Sequence, residues 1–151
     1  MRITPLIASH FRSDGGTMFG LVPKPIWAKR LPPDELNRIP QHAHALLVET
    51  DDGRRGLVDT GCGPASTFSE REVALHGIGP GWPLIDALAA RGVAPADIDF
   101  ITFSHLHWDH AGGADAGLFS KAELIVHAQE WADAHGGDPL LYKSYPPETV
   151  N

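Results

Sequence analysis

Three histidines and one aspartate fall within six consecutive residues near the middle of the chain, in the segment His-Leu-His-Trp-Asp-His at 105–110. Neutral imidazole and carboxylate are ligand types that zinc and other first-row metals take from proteins. His105 and His107 are two residues apart, so they project to the same side while the chain remains extended. The spacing predicts a metal site with His105, His107, Asp109 and His110 as ligands. The competing interpretation is a solvated, histidine-rich turn before a helix.

The segments on either side of this motif indicate how it is held. Residues 100–104, Phe-Ile-Thr-Phe-Ser, are apolar, aromatic and β-branched, which predicts a short buried strand. Residues 111–113, Ala-Gly-Gly, let the backbone pass close to the site without a side-chain clash. Ligand sites in open α/β sheets lie beyond the carboxyl ends of strands, which is where this loop falls. Asp109 and His110, where the chain must turn, can then face a second ion beside the first.

The rest of the chain predicts alternating strands and helices, and therefore an α/β fold. Residues 1–40 are rich in proline and glycine, which predicts strand pieces in a long loop. Hydrophobic periodicity and turn residues predict the other elements: strands at Ala43–Thr50, Arg54–Asp59 and Ala122–Val126, a hairpin turn at residues 51–53, and helices near Glu70–Ala74, at Pro83–Arg91 with Gly92 as its stop, and at Gln129–Ala134 before Gly136 and Gly137.

Composition indicates one globular domain over residues 1–151, since 42% of the chain is hydrophobic. The formal net charge of −7 argues against a nucleic-acid partner, because nucleic-acid surfaces are basic. No apolar stretch approaches the length of a membrane span, and the first residues form no secretory signal, so we expect no membrane partner and a cytoplasmic location. Cys62 is the single cysteine, which excludes a disulfide within the chain and predicts a small buried hydrophobe.

Three segments together resemble one protein family. Residues 105–113, His-Leu-His-Trp-Asp-His-Ala-Gly-Gly, resemble the metal-binding signature of the metallo-β-lactamase superfamily. Residues 56–61, Gly-Leu-Val-Asp-Thr-Gly, resemble the strand that precedes the metal loop there. Residues 14–20 with 23–27 are similar to the N-terminal segment of its lactonase-like and related hydrolases. The matches follow the family's order and cover most of residues 1–135. The chain is thereby identified as a member of the lactonase and glyoxalase II-like branch.

The resemblance implies a metallo-β-lactamase αββα sandwich, of which this chain has material for about the N-terminal half: one mixed β-sheet plus flanking helices in a single partial domain. Members of the family complete a two-metal site with a histidine, a bridging aspartate and a further histidine from the second half. After His110 this chain offers only His127 and His135. We therefore expect a truncated or split protein, or a stand-alone half that associates with itself or with a complementing C-terminal half.

The resemblance also implies an activity, that of a metal-dependent hydrolase in which a metal-bound hydroxide attacks a small-molecule lactone or other carboxylic ester. His105 and His107 would bind the first of two ions, and His110 with Asp109 the second. Asp109 would also act in catalysis by orienting the nucleophile or relaying its proton. Zn²⁺ is the expected metal, although iron, manganese and cobalt suit the same ligands. The alternatives are a catalytically incomplete metal-binding fragment and an interaction module whose sheet face docks a complementary half.

Several other residues carry weaker predictions. His42 and His44 lie two apart on a predicted strand, and we interpret them as a satisfied surface or core pair rather than as ligands. His127 is interpreted as a helix-start or surface histidine, with a hydrogen bond that orients a metal ligand as the alternative. Asp59 could either orient a ligand imidazole or cap the turn that follows it. We expect core packing rather than a substrate pocket for three apolar side chains, Met18, Phe19 and Trp27.

Overall fold

The computed structural model describes residues 1–115, 117–136 and 144–145. Five strands form one sheet in chain order: β1 (Arg2–Asp14), β2 (Arg38–Glu49), β3 (Arg55–Val58), β4 (Phe100–Thr102) and β5 (Glu123–Ile125). The first three strands pair antiparallel, whereas β3, β4 and β5 pair parallel. The sheet is therefore mixed, as predicted, and its parallel half carries the segment at 105–110 just beyond β4.

Helices occupy the connections between these strands. Those in the described residues are α1 (Gly15–Phe19), α2 (Lys24–Trp27), α3 (Glu70–His76), α4 (Pro83–Ala89), α5 (Trp108–Ala111) and α6 (Ala128–His135), with 3₁₀ turns at Ala65–Thr67 and Pro95–Asp97. The predicted hairpin turn at residues 51–53 joins β2 to β3. No helix in the described ranges combines the length and the apolar character that a membrane crossing requires.

The prediction for residues 1–40 was wrong. Instead of strand pieces in a long loop, residues 2–14 form one strand that pairs along its length with β2, and β2 begins at Arg38 rather than Ala43. A β-bulge between Ile7 and Ser9 shifts the register and interrupts the period-two alternation that identifies a strand in a sequence. Pro5 is tolerated because β1 is an edge strand, where one side of the backbone needs no sheet partner.

One face of the sheet packs against α4 and forms the main core. Leu84 and Leu88 of α4 are fully buried there, as the predicted apolar face of this helix requires, and Ile85 is partly buried. They contact buried residues of the first four strands and of the following loops: Leu6, Ala8, Ala45, Leu47, Leu57, Val93, Ile98, Ile101 and Phe119. The other face of β1 and β2 is open, with Ile7 43% exposed.

The remaining elements lie where they were predicted, with shifted ends. A capping box at Ser69 and Glu72 fixes the start of helix α3. The helix extends to His76, where Gly77 ends it in the left-handed conformation. Helix α4 stops at Ala89, ahead of the predicted Arg91. Strand β4 ends at Thr102, so the last two residues of the predicted strand already belong to the loop that carries the histidines. Gly137, the second predicted stop of α6, lies outside the described residues.

Candidate metal centre

The loop after β4 brings the predicted ligands into a short, sharply turned segment. His105 and His107 precede α5 in non-helical backbone, and His107 is its N-terminal cap residue with φ −63° and ψ 154°. Asp109 and His110 lie on the single turn of α5, where the sequence predicts only a change of direction. The extended-then-turned course of the backbone was therefore predicted, but its helical turn was not.

The three imidazoles of this loop form one cluster. The ring centroids of His105 and His107 are 4.5 Å apart, and those of His105 and His110 are 4.0 Å apart. Asp109 joins them, since its Oδ2 lies 3.7 Å from Nε2 of His110. Two ligand atoms of a tetrahedral zinc ion with bonds of about 2.1 Å lie about 3.4 Å apart, so this pair is a few tenths of an ångström too wide. All four predicted residues are brought together.

Asp59 anchors this cluster from the end of β3. Its Oδ2 accepts a hydrogen bond from Nδ1 of His110 at 2.9 Å. Its two carboxylate oxygens also accept from Ser104, Oδ1 from the backbone N–H and Oδ2 from the hydroxyl, both at 2.8 Å. Of the two interpretations of Asp59, the hydrogen bond to a histidine of the predicted site is present in the structure. It leaves Nε2 of His110 as the ring nitrogen for another ligand.

The backbone of Asp59 adopts a conformation that side-chain-bearing residues seldom take, with φ 62°. Aspartate tolerates this left-handed region better than most residues, but the cost is on the order of 1–3 kcal/mol. The backbone N–H is held by the carbonyl of Thr102 at 2.9 Å, and the side chain by its bonds to Ser104 and His110. The strained turn aims the carboxylate at the histidine loop, and these bonds offset the strain.

The two sequence motifs also interlock backbone to backbone. The N–H of Thr60 donates to the carbonyl of His110 at 2.7 Å, and that of Gly113 donates to the carbonyl of Gly61 at 3.1 Å. A Cβ on Gly113 would lie 2.5 Å from the carbonyl oxygen of Thr60, closer than atoms can approach. The glycines after the histidines are therefore needed, as predicted, because the backbone there runs close to another part of the chain. That part is the segment after β3.

Two side chains hold the loop from its outer sides. Trp108 packs edge-on against Phe11 and Phe68, with ring centroids 5.2 and 5.9 Å away, and this contact fixes α5 on the sheet. The backbone N–H of Leu106 donates to Oε1 of Glu130 on α6 at 2.8 Å. The side chain of Leu106 is buried in a cluster that includes Ala111 of α5 and Ala134 of α6. These contacts limit the freedom of the loop, so the imidazoles stay near one another.

The ionisation of the cluster follows from these contacts. Burial alone would raise the pKa of Asp59, but the hydrogen bonds from His110 and Ser104 outweigh it, and the pKa lies below its ordinary value. The same bond to Asp59 raises the pKa of His110, against the effect of burial. Burial, followed by the neighbouring His110 and His107, lowers the pKa of His105. His105 is therefore biased toward the neutral imidazole that a metal requires.

Sequence reasoning missed two residues of this centre. The hydroxyl oxygen of Ser104 lies 3.1 Å from Nδ1 of His105 and 3.2 Å from Nδ1 of His110, in addition to its bond to Asp59. Its position directly before the motif was a signal that was available. Glu130 offered none, because its contact with the loop depends on how α6 packs.

The other candidate residues have mostly structural positions. His127 caps α6 by accepting from the backbone N–H of Gln129 at 3.2 Å, as the helix-start interpretation predicted. Cys62 is fully buried, and burial raises the pKa of its thiol to about 12, so it is a packed hydrophobe. Trp27 is buried against Phe19, whose ring stacks on it at 4.9 Å. For Met18 the prediction of core packing was wrong, since this residue is 49% exposed.

The donor set fits a first-row metal by its chemistry. Three imidazoles and a carboxylate are zinc ligands, and a ligand histidine commonly donates its other ring N–H to a carboxylate, as His110 does to Asp59. Within residues 1–115, 117–136 and 144–145, however, no three His, Cys, Asp or Glu side chains are placed to hold an ion together as they stand. The residues are assembled beside one another, and binding requires their side chains to turn toward a common point.

Comparison with known proteins assigns this arrangement to a family. A family model described as the metallo-beta-lactamase superfamily matches residues 38–149, about three quarters of the chain. An N-acyl homoserine lactonase from a Bacillus species is 33% identical over 120 residues, which span 74% of this chain and 46% of the lactonase. The metallo-beta-lactamase domain-containing protein 1 of Mus musculus is 38% identical over 81 residues, which span 50% of this chain and 30% of that protein.

Solved structures agree with the sequence comparison. A probable metal-dependent hydrolase from Staphylococcus aureus superposes with a TM-score of 0.81 at 30% identity, covering 98% of this chain and 56% of that one. An N-acyl homoserine lactone hydrolase with N-hexanoyl-L-homoserine bound at its catalytic metal centre superposes with a TM-score of 0.65 at 26% identity, covering 98% and 55%. The chain thus spans about half the length of these relatives. Its sheet and helices correspond to about half of their fold, as predicted.

Metal binding should depend on the histidine loop. We expect the His107→Ala variant to lose most of whatever metal the purified chain binds, because His107 lies inside the imidazole cluster. His44→Ala is the matched control, since this exposed histidine lies on β2 outside that loop, and it should bind as much metal as the unmodified chain. Elemental analysis of the two purified variants and the unmodified chain decides. Equal loss in both variants would contradict the assignment.

The Asp59–His110 pair should give the metal-free chain a pH-dependent stability. The lowered pKa of Asp59 means that its contribution is complete above the ordinary value of 3.8 and is lost as the pH falls through its folded pKa. The raised pKa of His110 means that its contribution is complete below 6.5 and is lost as the pH rises through its folded pKa. The thermal midpoint of Asp59→Asn should therefore fall furthest below that of the unmodified chain between these two values.

The difference in thermal midpoint between Asp59→Asn and the unmodified chain should become smaller toward about pH 8.5. It should not disappear, because a neutral His110 still donates one hydrogen bond to Asp59. Thermal unfolding in the presence of a chelator measures this difference in midpoint. Asp86→Asn, on the exposed side of α4, is the control for loss of one carboxylate. A gap between Asp59→Asn and the unmodified chain that stays constant from about pH 5 to about pH 8.5 would show that the pair does not act as described.

Proposed function

The chain belongs to the metallo-β-lactamase superfamily, and we propose that it supplies one half of the metal-ligand set of a hydrolase that cleaves a lactone or another carboxylic ester. The observation that carries this proposal is the convergence of three imidazoles and the Asp109 carboxylate beside the strained, hydrogen-bonded Asp59. Backbone strain at Asp59 and shifted pKa values at Asp59, His105 and His110 occur together in this cluster, which is typical of a functional site.

His105, His107, Asp109 and His110 are the residues that would hold the metal, with zinc as the first choice. When bound, the metal acts as a Lewis acid toward the substrate oxygen and makes water a nucleophile at neutral pH. Imidazole and carboxylate also suit iron, manganese and cobalt.

The chain's own residues prepare this chemistry by fixing protons. Asp59 accepts a hydrogen bond from the Nδ1–H of His110 and thereby selects the tautomer whose Nε2 lone pair is available. The Ser104 hydroxyl donates to Asp59, so the carboxylate cannot swing toward another partner. Asp109, whose Oδ2 is 3.7 Å from Nε2 of His110, would ligate the metal and orient the attacking water or relay its proton.

The substrate class rests on relatives. The Bacillus relative is named an N-acyl homoserine lactonase, and one structural neighbour holds the opened product of such a lactone at its metal centre. A lactone carbonyl is an electrophile of the kind that this chemistry attacks. We therefore propose a carboxylic ester, most simply a lactone, as the substrate of the assembled site.

A metal-binding half-site without turnover of its own is the second candidate. It is favoured by the placement of the ligands, since no three of them in the described part of the chain face a common point. Catalytic zinc sites usually take three protein ligands per ion and keep a further position for water. Four ligands shared between two ions leave each about one short. A partner that supplies the remaining ligands, or a second copy of the chain, would then be required.

Turnover tests both candidates. We expect the purified chain alone, with added Zn²⁺, Mn²⁺ or Co²⁺, to hydrolyse a lactone and an aryl ester no faster than buffer, because loosely held ligands give poor control of the nucleophile. A displacement of about 1 Å can cost on the order of 10²-fold in rate. A separately produced polypeptide with the second half of a lactonase-like relative should restore measurable hydrolysis when mixed with the chain.

His107→Ala in the same mixture is the control, and it should remain at the rate of buffer. Rapid metal-dependent hydrolysis by a monomer of the chain alone would contradict the half-site candidate. Mixtures that bind zinc but cleave neither substrate would contradict the proposed hydrolase.

A further inference from the structure

Two histidines outside the loop at 105–110 face each other across the first strand pair. His10 of β1 lies directly opposite His42 of β2 in the sheet register. Their Nδ1 atoms are 2.7 Å apart, and their rings meet edge-on with centroids 4.7 Å apart. Both side chains are exposed on the open face of the sheet. His42 was interpreted from the sequence as half of a pair with His44, but its contact is with a histidine 32 residues away.

The β-bulge in β1 creates this pair. Before the bulge Ile7 pairs with His44 on the open face, and Leu6 and Ala8 point into the core. An unbroken strand would continue this alternation and turn His10 toward the core. The extra residue of the bulge reverses the alternation, so His10 reaches the open face opposite His42. The N–H of Gly79 donates to the carbonyl of His10 at 3.2 Å and helps to hold it there.

We propose that His10 and His42 form a second metal site, which binds Cu²⁺ or Ni²⁺ through the two Nδ1 atoms. Neighbouring positions of a tetragonal ion with bonds of about 2.0 Å are about 2.8 Å apart, which is close to the separation found here. Two ligand atoms of a tetrahedral zinc ion lie about 3.4 Å apart, so the two Nδ1 atoms would have to move further from each other to bind zinc. The spacing therefore favours the metals that prefer tetragonal geometry, with water in the remaining positions.

Binding requires a change of tautomer and a rotation of the two rings. In the metal-free pair one Nδ1 carries the proton and the other accepts it, since two lone pairs or two protons could not approach to 2.7 Å. When the ion enters, the protonated ring moves its hydrogen to Nε2, which lies on an exposed side chain and can exchange with water. The two rings then rotate away from each other until both Nδ1 lone pairs point at the ion.

His44 provides a matched comparison. It is exposed on the same face and the same strand, but its ring centroid is 6.4 Å from that of His42 and its register partner is Ile7. It takes no part in the Nδ1 contact. A chain without His44 should therefore bind the ion as the unmodified chain does.

Copper titration of the full 151-residue chain tests the proposal, with electron paramagnetic resonance to count the coordinated nitrogens. The His42→Ala and His10→Ala variants should each bind one Cu²⁺ fewer per chain than the unmodified protein, and His44→Ala should bind the same number. In a chain that also carries His105→Ala, His107→Ala and His110→Ala, one Cu²⁺ with two imidazole nitrogens should remain. Its Kd should rise by about tenfold or more on adding His42→Ala, because one of two ligands is lost.

Circular dichroism of each variant establishes that the sheet is intact. If the triple variant does not fold, the stoichiometry of the three single variants in the unmodified background decides alone. Equal copper content in His42→Ala and the unmodified chain would overturn the proposal. So would a loss in His44→Ala as large as that in His42→Ala, since the ion would then not be held by the facing Nδ1 pair.

Discussion

The candidate metal centre depends on the hydrogen bonds of the Asp59 carboxylate. This carboxylate lies at the end of β3, yet its oxygens bind Ser104, two residues beyond β4, and His110 on α5. Two segments that are separate in sequence, the end of β3 and the loop after β4, are therefore tied together by one buried anion. A buried carboxylate is costly unless it is fully hydrogen-bonded, and here the three bonds that satisfy it also position the loop. Stability and site geometry rest on the same atoms.

The surrounding backbone has adjusted to this contact. Asp59 takes a left-handed conformation, and the segment after it runs so close to Gly112 and Gly113 that neither could carry a side chain. Parallel pairing of β3 with β4 sets both loops at one edge of the sheet, where ligand sites of α/β proteins lie. The mixed sheet thus serves the centre in two ways. Its parallel part presents the loops, and its antiparallel part, with α4, supplies the core that holds them.

Local patterns predicted which side chains come together beyond β4 better than they predicted the sheet that carries them. Residue types and spacing pointed to His105, His107, Asp109 and His110, which do lie together, because this cluster depends mainly on adjacent residues. The long pairing of β1 with β2 escaped prediction because a bulge breaks its alternation, and with it the His10–His42 contact was missed. Glu130 could not be foreseen either, since its bond to Leu106 follows from how α6 packs. Features set by register and tertiary packing leave no periodic trace in the sequence.

The central claim is that the loop at 105–110, aimed by Asp59, binds a metal through Nε2 of His110 and the neighbouring ligands. Diffraction from zinc-loaded crystals of the unmodified chain, recorded on both sides of the zinc absorption edge, tests it most directly. The account predicts an anomalous peak within about 2.2 Å of Nε2 of His110, with Nδ1 still bonded to Asp59. An ordered, zinc-containing crystal with no anomalous peak among His105, His107, Asp109 and His110 would contradict it.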